Sequence, residues 1–110
     1  MAQTAVNIDQ SVVLNVIREL HLALQKYGLK DNRIALFGSF AKGNFHENSD
    51  IDMIVISSDF EGKNLLERID MTAKAKIDVK RKFVIPMDIL LKTPKEYDNS
   101  KQIYNYSQIL

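Results

Sequence analysis

The chain of 110 residues contains no cysteine. That excludes disulfides, thiolate zinc sites and cysteine nucleophiles together. Fifteen Lys and Arg stand against fourteen Asp and Glu, a formal net charge of +1. No global pull toward nucleic acid or a membrane surface follows from so even a balance. No apolar run reaches the length of a membrane span, and the start carries no basic segment followed by an apolar one, so no secretory signal is expected. Proline occurs twice and glycine four times, with no linker, repeat or low-complexity tract. His46 has no second His, Cys or carboxylate at ligand spacing and is expected in an exposed polar loop. What remains is ordinary for a globular protein, with 45% apolar and 26% charged residues. One domain over residues 1–110 is expected, cytoplasmic and without membrane attachment.

The hydrophobic pattern gives the element order. Val13, Val16, Ile17, Leu20, Ala23, Leu24 and Tyr27 recur at helical spacing. Asp9 can cap that helix and Gly28 can end it. Arg33 to Phe37 reads as a short strand buried on both faces, and Ser39 to Lys42 as the first turn of a helix. Gly43 to Ser49 is a loop, with Ser49 a cap or turn residue. Ile51 to Ser57 is the second strand, with Asp50, Asp52, Ile54 and Ile56 on one face and Ile51, Met53 and Val55 on the other. Leu65, Leu66, Ile69, Ala73 and Ile77 then predict a helix over Asn64 to Val79, closed by Lys80-Arg81-Lys82. Phe83 to Leu91 is a third strand, with Pro86 placing it at an edge or after a bulge. Pro94, capped by Thr93, opens a last helix drawn to Leu110. Tyr97, Tyr104 and Tyr106 there suit packing better than base stacking. The sum is an α/β (α+β) fold, a small mixed sheet of three or more strands with flanking helices.

The chemistry concentrates in residues 37–56. Asp50 and Asp52, at i and i+2 at a strand entrance, share one face. Two carboxylates side by side repel unless a cation lies between them. Gly38-Ser39, a turn at the end of a strand and the start of a helix, offers unpaired N–H groups to a phosphate. Asp88 is a charge inside an otherwise apolar run, expensive to bury without a partner or a metal. If the third strand pairs beside the second, Asp88 reaches the face of Asp50 and Asp52. Three carboxylates on adjacent strands suit Mg²⁺, which prefers oxygen ligands and bridges substrate phosphates. Each feature alone has an ordinary structural explanation; their spacing is what points to a metal-dependent site for a nucleoside triphosphate.

Gly38-Ser39, ten intervening residues and then Asp50-Ile51-Asp52 resemble the signature of the nucleotidyltransferase superfamily related to DNA polymerase beta. The two segments Phe37 to Gly43 and Ser49 to Val55 are most similar to its smallest branch, the MNT-type minimal nucleotidyltransferases, and the resemblance spans about residues 10 to 95. It implies a nucleotidyltransferase-like fold in which Gly38 and Ser39 hold the triphosphate and Asp50, Asp52 and Asp88 are the catalytic Mg²⁺ ligands. Lys42 stands where many relatives carry Arg; Lys keeps the charge and loses the bidentate phosphate geometry. The resemblance further implies transfer of AMP from ATP to an acceptor hydroxyl. The acceptor it implies is a small helical HEPN-domain toxin, toward which this chain would be the antitoxin. A homo- or hetero-oligomer is expected and a nucleic-acid partner is not. A non-catalytic antitoxin or scaffold, or a small-molecule adenylyltransferase, are the alternatives.

Overall fold

The computed structural model describes residues 10–38, 50–100 and 107–108. Helix α1 covers Gln10–Lys26 and buries Val13, Val16, Ile17, Leu20 and Leu24; the expected cap Asp9 lies outside the described residues. Its end is a Schellman motif: Gly28 adopts φ +104°, its N–H donates to Gln25 O, and Leu29 N–H donates to Leu24 O at 2.8 Å. Strand β1, Arg33–Phe37, and strand β2, Ile51–Ile56, pair antiparallel with Ala35 opposite Ile54 and Phe37 opposite Asp52.

A short 3-10 turn at Ser58–Phe60 leads to helix α2, Leu65–Lys82. Asn64 and Glu67 form a capping box, with two reciprocal 2.9 Å bonds between side chain and backbone. Lys80, Arg81 and Lys82 form the last turn of α2, so the helix runs three residues past the predicted Val79. Strand β3, Met87–Lys92, starts immediately after Pro86 and pairs parallel to β2 at the sheet's edge. It is shorter than the expected Phe83–Leu91, and Val84 is 87% exposed. Proline has no N–H for a ladder, whereas its carbonyl accepts the Ile51 N–H at 2.9 Å.

The last helix corrects the expectation of one element from Pro94 to Leu110. Helix α3 covers only Pro94–Ser100, and Ser107–Gln108 form β4, antiparallel to β1. Thr93 caps α3 as anticipated: its Oγ1 accepts the Glu96 N–H, and its own N–H donates to Glu96 Oε1. Tyr104 and Tyr106 lie outside the described residues.

The sheet order is β3-β2-β1-β4. Ile51, Met53 and Val55 turn to the face covered by α1 and α2, where the main core forms with Val16, Leu20, Leu36 and Val79. The opposite face carries a smaller cluster, Ala35, Ile54, Ile56 and Tyr97, under α3. Strand alternation puts Asp52 on this second, thinly covered face. Tyr97 packs with Ile54 and Ile56 of β2. Among the described residues no helix is long and apolar enough to cross a membrane.

Candidate active site

The chain crosses from β1 to β2 at one end of the sheet, and that end gathers the candidate residues. Asp88 is in register with Asp52 across the parallel β2/β3 pair, as the sequence pattern anticipated. Asp50, one residue ahead of β2, is exposed, Asp52 is half-buried and Asp88 is exposed. The carboxyl of Asp52 is held above the ordinary aspartate range, first by partial burial, then by the charges of Asp88 and Asp50. Asp88 and Asp50 therefore both act electrostatically on Asp52. Among the described residues, no three His, Cys, Asp or Glu converge into a preformed metal cage.

Gly38 follows β1 with φ +74°. A Cβ there would overlap Asp52 Oδ2 and lie 3.2 Å from Asp52 Cγ. The left-handed backbone favours glycine here, and a side chain would have to displace the Asp52 carboxylate. Ser39 and Lys42, the other expected triphosphate contacts, lie outside the described residues, as do the helical turn expected over 39–42, His46 and Ser49.

The donor set fits a hard divalent cation. Every candidate ligand is a carboxylate oxygen, the type Mg²⁺ prefers. Asp52 carries negative charge against two like neighbours with no cationic side chain among the causes of its shift, a situation that a bound cation relieves. An open groove of about 540 Å³ lies beside Asp50, with Lys80 and Phe83 to Met87 on its walls. Sequence reading placed Lys80 at the close of a helix. Its place opposite Asp50 follows from the packing of α2 beside β3, which no local pattern encodes.

Arg68 was also missed. Its Nη1 and Nη2 hold the Glu96 carboxylate at 2.6 and 3.3 Å, Nη1 reaches Leu91 O, and Nε reaches Lys63 O. One guanidinium therefore ties α2 to α3 and to β3, and so fixes the strand that carries Asp88. The Thr93-x-x-Glu96 spacing is a readable capping box, but nothing local joins it to position 68.

A parallel β2–α2–β3 unit with a carboxylate pair in register, beside a glycine turn, defines the class: a nucleotidyl-transferring α+β domain. The chain belongs to the nucleotidyltransferase domain family, which it matches over residues 17–110. It is a minimal enzyme of the DNA polymerase beta-like superfamily, a transferase. No curated protein matches the chain. Among solved structures, a nucleotidyltransferase candidate from Sulfolobus solfataricus superposes with a TM-score of 0.67 at 17% identity, covering 94% of this chain and 89% of that one. A second nucleotidyltransferase candidate gives 0.58 at 25% identity, covering 86% and 97%. The mutant toxin–antitoxin complex MntA–HpeT shares the fold with a TM-score of 0.51 at 21% identity, over 84% and 70% of the two chains.

Proposed function

We propose that the chain transfers AMP from ATP to an acceptor hydroxyl, with Mg²⁺ as cofactor and pyrophosphate as the leaving group. The observation that supports this most is the register of Asp52 with Asp88, beside a Gly38 backbone on which a Cβ would meet the Asp52 carboxylate. In this reading Asp50, Asp52 and Asp88 hold the metal. Bound there, Mg²⁺ would neutralise phosphate charge during an in-line displacement. Asp88 is exposed at the sheet edge, where it can take the proton of the acceptor hydroxyl. The acceptor oxygen bonds to the α-phosphorus, the bond to the bridging oxygen breaks, and pyrophosphate departs. Gly38 and Ser39 offer backbone N–H groups to the triphosphate and Lys42 adds a positive charge. Lys80, beside Asp50 in the open groove, suits the same polyanion.

The acceptor is a side-chain hydroxyl on a small helical HEPN-type toxin, which this chain silences in the cytoplasm as its antitoxin. A toxin–antitoxin complex among the structural neighbours is the support for that pairing. The test incubates the chain with a small helical HEPN-type protein, ATP and Mg²⁺, and weighs that protein. A gain of one or more AMP units, abolished by Asp50→Asn with Asp52→Asn, is expected. An unmodified partner that is still inhibited by the double variant would replace catalysis with neutralisation by contact. AMP transfer to a small molecule with no partner present would shift the acceptor class.

A further inference from the structure

The apolar stripe that announces α2 is not the face that α2 buries. Its buried residues are Thr72, Ala75 and Val79. Leu65, Leu66, Ile69 and Ile77 remain 64%, 76%, 40% and 49% exposed. The hydroxyl of Thr72 bonds Arg68 O and Ile69 O, so a polar residue is buried there without an orphaned group. Leu65 and Ile69 line one groove, and large apolar side chains grouped in water mark an interaction site more often than an accident.

The exposed stripe borders a second unfinished feature. Strand β3 ends the sheet, with no strand beyond it among the described residues. Ile51 N–H donates to Pro86 O and Ser57 N–H to Lys92 O, so the even-numbered peptide groups of this segment face β2. In a regular strand the peptide groups of Met87, Ile89 and Leu91 then face outward. Among the described residues only Leu91 O has a partner there, Arg68 Nη1 at 3.2 Å. Between this edge and α2 runs a groove of about 520 Å³, walled by Leu65, Ile69, Ile89 and Leu91, with Lys76 inside it.

Charge decides what would fit. Glu96 on the groove wall is engaged by Arg68. Lys76 has no acidic partner among the described residues. Partial burial first, and Lys80 second, hold its ammonium below the ordinary lysine range. A second copy of this chain is a poor occupant. Its edge, Met87 to Lys92, has Asp88 as the sole carboxylate, and Asp88 belongs to the candidate site.

We propose that the groove between α2 and the edge of β3 binds an extended acidic segment of a partner protein. That segment adds as a strand beside β3, sets apolar side chains against Leu65 and Ile69, and places a carboxylate on Lys76. None of Asp50, Asp52 and Asp88 lines the groove, and the proposal stands whether or not the chain transfers AMP.

Two blocked, fluorescein-labelled heptapeptides test it, one alternating Val with Glu and the other Val with Lys. The Glu peptide is expected to bind saturably, at least tenfold tighter by anisotropy, and to slow amide exchange at Met87, Ile89 and Leu91. Lys76→Glu should reverse the preference, and Lys76→Gln, which removes the charge and keeps a polar side chain, should erase it. Equal binding of the two peptides, a preference that survives Lys76→Gln, or unchanged exchange at those three amides would overturn the proposal. So would a dimer in sedimentation that Ile89→Pro converts to monomer, because the edge would then belong to a second copy.

Discussion

Helices α1 and α2 are each signalled by an apolar stripe at helical spacing, and they use it in opposite ways. In α1 the stripe is the core: Val16, Ile17 and Leu20 are fully buried. In α2 the stripe faces out, and a narrower face of Thr72, Ala75 and Val79 meets α1 and the sheet. At the rim the two helices are joined by polar contacts, Lys82 Nζ to Glu19 Oε1 at 2.8 Å and Tyr27 Oη to Asp78 Oδ2 at 2.6 Å. Periodicity thus reports that a helix forms, and it is silent on whether the chain itself supplies the cover. An apolar face that the chain does not cover is surface available to a partner.

Truncation can break that comparison. Leu20→Ala removes a fully buried side chain and should cost about 2–5 kcal/mol in urea unfolding. An effect below about 1 kcal/mol would mean that α1 is not the core helix described. A smaller loss is expected of Glu96→Gln, which weakens the link from α2 to α3. The Arg68 guanidinium first, then the Thr93 N–H, hold the Glu96 carboxyl below the ordinary glutamate range. A depressed carboxyl stabilises the fold fully above its unfolded value, about 4.3, and that share is lost as pH falls through the lower folded value. Glu96→Gln should therefore lower the melting temperature at pH 7 by an amount equivalent to about 0.2–1 kcal/mol. The deficit should shrink toward pH 3, and a constant deficit across that range would rule out the ion pair as its source. The smallest effect belongs to Leu66→Ala, expected within about 0.5 kcal/mol of the parent. A loss near that of Leu20→Ala would show that α2 buries its stripe after all.

Legibility followed the range of the contacts. Gly38 and the Asp50/Asp52 pair were readable because a turn and a strand entrance place them within fifteen residues. Asp88 was readable as a charge in an apolar run, and its meaning came from a register that only pairing supplies. Residues Phe83 to Ile85 carry strand-like apolarity, yet the ladder starts after Pro86. The tail failed for the same reason: β4 exists through its pairing of Ser107 and Gln108 with β1, more than seventy residues away, and no helical or strand period marks it. Arg68 and Lys80 owe their places to packing between elements distant in sequence.

The central claim is that the Asp50, Asp52 and Asp88 end of the sheet moves a nucleotidyl group. Incubation of the chain and its helical partner with Mg²⁺ and ATP labelled at either the α- or the γ-phosphorus tests it directly. Label from the α position should appear on the partner while γ label leaves as pyrophosphate, and Asp52→Asn should suppress both. Transfer of γ label to the partner would contradict the claim.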